Sequence, residues 1–357
     1  MSKVTRIISV SMMLTVLSAI ILAGCGNRHS DKAGLNKSDI TETLSQTLES
    51  EKDSQMNSQS EDITDTEITD TEAEDSGQTD SEEDSQEETS NPYTAAREPY
   101  TGVPVYEDME HIYMNTTWEY ADHSAISNGY AVLYKAAGER KNIIVGVNAG
   151  HGTAGGSSVR TLCHPDGSPK STGGSTAAGA TTATAVSGGM TFYDGTPESE
   201  VTFRMAQILR DRLLSQGYDV LMVRDGAYVQ LDNVARTIIC NNVADCHISL
   251  HWDGDGLSYD KGCFYIAVPD AIKDMEPVAT HWQQHDSLGA SLVDGLRGQG
   301  AKIHGSGSMA IDLTQTSYST VPSVDMELGN ASSDHSDAAL EILADGLVNG
   351  VSTFFGY

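Results

Sequence analysis

Three residues of the types that hold a catalytic zinc ion are spread over a hundred positions of this 357-residue chain: His151, Glu198 and His251. Two histidines and one carboxylate are the protein ligands of a common catalytic zinc site, which keeps a fourth position open for water. Zinc in such a site lowers the pKa of the water towards neutrality. The sequence therefore predicts a Zn²⁺ site, if the fold brings the three side chains together.

Strands must deliver the two histidines. From Lys141 onward, apolar strand segments alternate with helical segments, which indicates an α/β fold with a mainly parallel, twisted sheet and helices on both faces. Ligands of such sheets bind beyond the carboxyl ends of the strands. His151 follows the first strand, His251 ends the third, and Glu327 ends a late strand. We expect these side chains to meet at one edge of the sheet.

A helix must deliver Glu198. At about 100° per residue, a helix over 198–216 has an apolar stripe centred close to the direction of Glu198. Glu200 points to the opposite side and is expected in solvent. A simpler role for Glu198, a favourable interaction with the helix dipole, remains open. The stripe consists of Val201, Met205, Ile208, Leu209 and Leu213.

The other predicted elements complete one domain over 141–357, preceded by an N-terminal extension over 97–140. Five aromatic residues between positions 100 and 120 indicate that this extension packs against another part of the protein. The predicted strands are 143–147, 219–223, 247–251, 263–268 and 323–328. The predicted helices are 123–139, 201–214, 231–243, 286–296 and 337–355.

Charge is concentrated in the first third of the chain. The formal net charge is −30, and residues 31–90 alone hold 20 acidic and three basic side chains. Nothing gathers Lys or Arg into a basic face, so a nucleic-acid binder is excluded as the default interpretation. Residues 25–96 have too few branched or aromatic residues to fold, and they predict a disordered acidic tether. Binding of cations or of a basic partner is the alternative role of this segment.

The first 25 residues predict export. Lys3 and Arg6 precede an apolar run over 7–22, which is the pattern of a signal peptide. Leu22-Ala-Gly-Cys25 resembles the bacterial lipobox, in which the cysteine is lipid-modified and becomes the new N-terminus. We therefore expect a lipoprotein signal peptide over 1–24 and a membrane lipid anchor at Cys25, with an uncleaved anchor helix as the alternative. Both place the domain outside the cytoplasm, and the long tether suggests a Gram-positive cell surface.

Several separated segments resemble the zinc-dependent N-acetylmuramoyl-L-alanine amidases of the amidase 3 family. The resemblance covers about residues 141–357 and follows the order of the family's motifs. The matching segments are Asn148-Ala-Gly-His-Gly152, Glu198-Ser-Glu-Val-Thr-Phe-Arg-Met-Ala206, Gly217-Tyr-Asp-Val-Leu-Met-Val-Arg224, Arg236 followed by Asn241, Ala244-Asp245, Ser249-Leu-His251 and Val321-Pro-Ser-Val-Asp-Met-Glu-Leu-Gly329.

The resemblance implies zinc ligands at His151, Glu198 and His251 and a catalytic glutamate at Glu327. It also implies peptidoglycan as the substrate, cleaved between N-acetylmuramic acid and L-alanine. We expect a monomer, and no substrate-binding residues are predicted. Two alternatives remain: a non-catalytic module that binds cell-wall peptides, and a zinc carboxypeptidase that acts on stem peptides.

The chain departs from the family pattern in three places. The path from His151 to Glu198 is longer than usual, and residues 152–197 are rich in Gly, Ser, Thr and Ala. This insertion is either a lid with glycine hinges or a surface loop without function. Asn330 stands where the family commonly has an aromatic residue, and Trp252-Asp253 replaces a common Ala-Asn.

Three other patterns in the sequence could bind a ligand or cross-link the chain. Gly150, Gly152 and Gly155 have the spacing of a dinucleotide fingerprint, but no helix is predicted to begin at Gly155. His281 and His285 are four residues apart, and we interpret them as a surface pair on a helix because the Glu of a metal-binding His-Glu-x-x-His motif is missing. Four cysteines remain after Cys25, and their pairing or reduced state is left open: Cys163, Cys240, Cys246 and Cys263.

Overall fold

The computed structural model describes residues 106–357. The predicted signal peptide 1–24, the lipidation of Cys25 and the predicted tether 25–96 lie outside the described residues. So does the first part of the extension, 97–105.

Eight strands form one mixed sheet, and two further strands form a small antiparallel ladder. In chain order the strands are β1 (Tyr106–Tyr113), β2 (Tyr130–Ala136), β3 (Ile144–Ala149), β4 (Arg160–Leu162), β5 (Thr182–Thr184), β6 (Asp219–Met222), β7 (Cys246–Asp253), β8 (Cys263–Ala267), β9 (Ile303–Ala310) and β10 (Ser323–Asn330). The order in the large sheet is β1-β2-β6-β3-β7-β10-β8-β9. β6, β3, β7 and β10 are parallel at the centre, whereas β2 and β8 flank them in antiparallel pairing.

Helices cover both faces of this sheet, and the α/β prediction is confirmed. Side chains alternate between the faces along a strand, so Val220 and Met222 of β6 join one hydrophobic cluster and Leu221 joins another. The helices are α1 (Glu198–Ser215), α2 (Asn233–Val243), α3 (Val278–Gly298), α4 (Thr314–Tyr318) and α5 (Asp337–Phe355). The first cluster includes apolar residues of α1, α3 and α5, and the second includes Ala235 and Ile239 of α2.

The predicted helix over 123–139 is wrong. A single turn of 3-10 helix (Ala121–His123) is followed by strand β2, which pairs with β1 on one side and β6 on the other. Ala131, Val132 and Leu133 are buried in succession because both faces of β2 are covered. A continuous apolar run of this kind does not distinguish a buried strand from a helix.

The extension is continuous with the sheet. Besides the pairing of β2 with β6, the carboxylate of Asp232 accepts hydrogen bonds from the backbone N–H groups of Ala125 and Ile126, at 2.6 and 2.8 Å. The same carboxylate caps α2 by accepting from Ala235 N at 2.8 Å. A capping residue of this kind stabilises a helix by about 1 kcal/mol. One buried side chain thus ties the extension to the helix behind the candidate site.

The last helix belongs to the core. α5 has the length and a mean hydropathy of 1.2 that would also suit a membrane span. In this structure it packs against α3 so closely that a Cβ on Gly350 would lie 2.5 Å from Leu292 Cα. Eight of its residues are buried, which is the pattern of a buried helix in a soluble domain.

Candidate metal centre

The three predicted metal ligands converge. His151 follows β3 by two residues, His251 lies in the neighbouring strand β7, and Glu198 opens α1. His151 Nε2 lies 2.8 Å from Glu198 Oε1, and His251 Nδ1 lies 3.1 Å from both of these atoms. Residues separated by more than forty positions in sequence therefore place three donor atoms around one point.

The backbone at His151 is held in an uncommon conformation. Its φ angle is 64°, in the left-handed region that few non-glycine residues adopt. The fully buried guanidinium of Arg236 donates to the His151 carbonyl at 2.7 Å, and Arg224 donates to the Gly150 carbonyl at 3.0 Å. Two buried cations thus hold the turn that aims the imidazole.

The tautomer of His151 follows from its outer contacts. Nδ1 lies 3.0 Å from the backbone carbonyl oxygen of Ser187, which can only accept. When Nδ1–H donates there, the lone pair of Nε2 faces Glu198 and His251. A hydrogen bond from the outer ring nitrogen to a backbone carbonyl is usual for histidines that bind metals.

Glu198 is buried and Glu200 is exposed, the arrangement expected from helix geometry. Backbone N–H groups satisfy both carboxylate oxygens of Glu198: Met190 N donates to Oε2 at 2.8 Å and Trp252 N to Oε1 at 3.1 Å. Burial opposes ionisation, but hydrogen bonding to the two histidines outweighs it and lowers the pKa of Glu198. The group is a carboxylate, as a metal ligand must be.

His251 is packed against a residue that has no side chain. A Cβ on Gly150 would lie 2.3 Å from His251 Cε1, so only glycine leaves room for the ring. Burial disfavours the imidazolium, but the carboxylates of Asp325 and Glu198 raise the pKa of His251 to about 10. A metal ion bound at Nδ1 would displace that proton.

The donor set fits zinc. A tetrahedral zinc ion with ligand bonds of about 2.0–2.1 Å separates its donors by roughly 3.3 Å, close to the 2.8–3.1 Å found here. Gly189 completes the cradle, since a Cβ there would lie 2.7 Å from His151 Cδ2 and 2.9 Å from Glu198 Oε2. Within residues 106–357, no other group of three or more His, Cys, Asp or Glu side chains brings its donor atoms together in a way that could hold a metal ion.

Glu327 lies on the strand next to His251. β10 and β7 pair in parallel with Glu327 opposite His251, and both residues line one cleft. Burial, together with the nearby carboxylate of Asp325, raises the pKa of Glu327 well above its ordinary value. Its Oε2 atom is buried and has no hydrogen-bond partner in the described part of the chain. The group can therefore hold a proton and exchange it with a molecule in the cleft.

The insertion forms one wall of this cleft. The cleft has a volume of about 720 Å³, within the range of ligand sites. On one side it is lined by Lys170, Gly174, Ser175, Thr176, Ala183, Thr184, Ser187, Gly188, Gly189 and Met190 of the insertion. On the other side it is lined by Ile311, Leu313, Thr314 and Gln315. The insertion contains the β4–β5 ladder and lies beside the metal centre.

A buried carboxylate joins the two walls. Asp312 is fully buried, and its oxygens contact His164 Nε2 at 2.8 Å and accept from Ser171 N at 2.7 Å. The Lys170 ammonium also donates to the backbone carbonyl of Asp312. Burial opposes ionisation of Asp312, but the hydrogen bonds of His164 and Ser171 outweigh it and lower the pKa. No local signal pairs His164 with a residue 148 positions away, so sequence reasoning missed this contact.

Two further sequence interpretations are resolved. His285 is not on the surface: it is 1% exposed, and its Nδ1 accepts a hydrogen bond from Ser323 N at 3.0 Å. The apolar stripe of α3 extends over that position, which turns the ring into the core.

No disulfide is present among the four cysteines of 106–357. All four are buried, and burial raises their pKa values, so the thiols stay protonated.

The fold and the donor set define a class, the α/β proteins with a candidate metal centre at the carboxyl edge of the sheet. A family model described as N-acetylmuramoyl-L-alanine amidase (amidase 3) matches residues 145–347, and the chain belongs to this family. No curated protein matches the chain.

Solved structures with this fold are also similar. The amidase Ami1 of Mycobacterium smegmatis is 19% identical, covering 61% of this chain and 99% of its own, with a TM-score of 0.51. Apo Ami1 of Mycobacterium abscessus is 21% identical, covering 60% and 99%, with a TM-score of 0.49. AmiC2 of Nostoc punctiforme is 13% identical, covering 61% and 99%, with a TM-score of 0.45. At 19% identity, the similarity to Ami1 of Mycobacterium smegmatis shows the fold of this chain.

Proposed function

We propose that this protein is a zinc-dependent amidase that hydrolyses the bond between N-acetylmuramic acid and L-alanine in peptidoglycan. The observation that carries the proposal is the convergence of His151, Glu198 and His251, whose donor atoms all lie within 4.8 Å of one another. Membership of the amidase family supports the substrate and the bond.

In this reaction, His151, Glu198 and His251 would hold zinc, and Glu327 would transfer the proton. When bound, zinc polarises the amide carbonyl and makes water a stronger nucleophile at neutral pH. The Glu327 carboxylate accepts a proton from the attacking water as the new C–O bond forms. Glu327 then returns that proton to the nitrogen of L-alanine as the C–N bond breaks. The upward shift of its pKa suits a group that must hold the proton between the two steps.

Product analysis tests the function directly. Purified peptidoglycan is treated with the protein with and without a zinc chelator, and the soluble products are identified by mass spectrometry. We expect free stem peptides that begin at L-alanine, abolished by the chelator and restored by zinc. Intact strands that retain the protein would favour a binding module, and shortened stem peptides would favour a carboxypeptidase.

A matched pair of variants tests the ligand role in the same assay. Glu198→Gln removes the buried carboxylate and should abolish both zinc binding and product release. Glu200→Gln, two residues further along the same helix, changes an exposed side chain and should retain both. Equal zinc content in the two variants would contradict the assignment of Glu198.

We also propose that the protein acts as a monomer outside the cytoplasm, held to the membrane by a lipid at Cys25. The support is the signal-like N-terminus and the Leu22-Ala-Gly-Cys25 segment. Cys25→Ser should move the protein from the membrane fraction to the medium, measured by fractionation. A variant that stays fully membrane-bound would contradict lipidation.

A further inference from the structure

His251 turns its two ring nitrogens towards different environments. Nδ1 lies 3.1 Å from both His151 Nε2 and Glu198 Oε1, so it is the nitrogen that faces the metal centre. Nε2 is on the opposite edge of the ring and faces away from the donor set. A metal bound at Nδ1 therefore requires the Nε2–H tautomer, and the Nε2–H group needs an acceptor.

The group that faces Nε2 is the carboxylate of Asp325. Asp325 Oδ2 lies 3.8 Å from His251 Nε2, at ion-pair distance, and no other carboxylate oxygen of the described residues is within 4.0 Å of that nitrogen. Asp325 is two residues before Glu327 on β10, the strand that pairs with β7. It is mostly buried, with a side-chain exposure of 14%. Its other oxygen, Oδ1, has no hydrogen-bond partner in the described part of the chain.

The outer ring nitrogens of the two histidines therefore face different kinds of group. The outer nitrogen of His151 meets the Ser187 carbonyl oxygen at 3.0 Å and the Ser187 hydroxyl at 3.1 Å, both neutral groups. The outer nitrogen of His251 meets a carboxylate. A carboxylate behind a metal-bound histidine orients the ring and makes the metal-facing nitrogen more basic.

We propose that Asp325 is a positioning residue for His251. Its carboxylate, 3.8 Å from Nε2, attracts the Nε2–H group electrostatically, favours the tautomer whose Nδ1 lone pair faces the metal, and strengthens zinc binding. Asp325 acts through His251 and is not assigned contact with the scissile bond. The inference rests on the proposed function in one respect, the presence of zinc at His151, Glu198 and His251.

Zinc affinity tests the proposal without using activity. The dissociation constant for zinc is measured by competition with a chromophoric chelator, for the wild type and for Asp325→Ala and Asp325→Asn. Loss of such an outer partner typically weakens metal binding about 10–100-fold, and we expect this of Asp325→Ala. Asp325→Asn keeps an acceptor oxygen without the charge, and we expect a smaller loss. Absorption of the cobalt-substituted proteins should show an altered coordination geometry in Asp325→Ala.

A second carboxylate on the same rim serves as the control. Asp253 lines the cleft two residues after His251, but its carboxylate pairs with the Lys261 ammonium. Asp253→Asn removes the same charge from the neighbourhood and should leave zinc affinity unchanged. A loss as large as that of Asp325→Ala would show a general effect of charge and overturn the specific role.

The outcomes separate this inference from the function on which it rests. A wild-type protein that binds no zinc would contradict both the role of Asp325 and the zinc-dependent amidase function. Wild-type zinc binding with an unchanged affinity in Asp325→Ala would overturn the role of Asp325 and leave the amidase proposal intact. Slower turnover at unchanged zinc affinity would likewise overturn it, because Asp325 would then act with Glu327 in proton transfer. Thermal unfolding of the metal-free variants shows whether a weaker affinity reflects a damaged fold; if Asp325→Ala is damaged, Asp325→Asn decides.

Discussion

Two glycines at the metal centre set the position of the histidine rings. Gly150 faces the edge of His251, and Gly189 faces both His151 and Glu198. Neither contact is visible in the sequence, where Gly150 belongs to the Asn148–Gly152 motif and Gly189 to a Gly-rich insertion. Their role is to leave space for the neighbouring side chains, and a glycine-to-alanine substitution, which adds one methyl group, tests that role.

Gly150→Ala should weaken zinc binding. The added Cβ would meet the His251 ring at 2.3–2.7 Å, so the ring must leave its position between the other two ligands. Zinc content after dialysis and the zinc dissociation constant measure the effect. Gly188→Ala is the matched control, because a Cβ there meets nothing within 4 Å in the same cleft wall. Wild-type zinc affinity in Gly150→Ala would contradict the packing argument.

Glu327→Gln should separate metal binding from catalysis. The amide keeps the shape of the side chain but cannot accept the proton of the attacking water. General acid–base catalysis contributes typically about 10²–10⁴-fold, and we expect turnover to fall by that factor while zinc content stays at the wild-type level. Both are measured on one preparation, by product release and metal analysis. A fully active variant would refute the role of Glu327.

At the scale of elements, the insertion 152–197 is a structured wall beside the metal centre. The buried pair of His164 and Asp312 fastens it to the segment between β9 and α4. The sequence left a lid and a functionless loop as alternatives, because its Gly-rich composition carries no information about a distant partner.

Asp312→Ala should loosen this wall. Without Asp312, the buried groups of His164 and Ser171 lose their hydrogen-bond acceptor, and a buried polar group left unsatisfied costs about 1–3 kcal/mol. We expect a lower free energy of unfolding and a higher KM for peptidoglycan, measured by denaturant titration and by product release. The exposed Asp166→Asn, in the same insertion, should change the free energy of unfolding by no more than about 0.5 kcal/mol and leave KM unchanged. An unchanged KM in a folded Asp312→Ala protein would show that the wall does not contact substrate.

Element assignment succeeded where the apolar pattern was unambiguous and failed elsewhere. The predicted helix 337–355 coincides with α5. The predicted strands 143–147, before His151, and 247–251, which ends at His251, overlap β3 and β7. Strand β9 was missed because Ile303–Ala310 contains two glycines and shows little burial, so it has no alternating pattern to detect. β2 was assigned to a helix because five of its seven residues are buried, so it lacks the alternation of a half-exposed strand.

At the scale of the whole molecule, buried histidines make the fold sensitive to acid. His247 and His285 are 0% and 1% exposed, and burial lowers the pKa of each to about 3. Between pH 6.5 and 3 the unfolded chain binds more protons at these positions than the folded chain. Stability therefore falls as the pH drops through 6.5, by about 1.4 kcal/mol per pH unit for each histidine.

His247→Phe should lower that slope by about 1.4 kcal/mol per pH unit. The variant removes one of the two histidines whose pKa is lowered by burial, so its free energy of unfolding should depend less on pH between 6 and 4 whatever its value at pH 7. Urea titrations at several pH values measure the slope. Exposed His111→Gln leaves both buried rings in place and should not alter it. An unchanged slope in His247→Phe would contradict the argument.

The sequence by itself determined the α/β class, the inward direction of Glu198 and the set of residues that meet at the carboxyl edge of the sheet. These follow from helix and strand periodicity and from the polarity of parallel strands, which are local or topological properties. Tertiary structure decided the rest: the tautomer-setting contacts of His151, the carboxylate behind His251, and the anchoring of the insertion by Asp312. Each depends on atoms brought together across about 36 to 148 positions of chain, and no short-range pattern specifies such contacts.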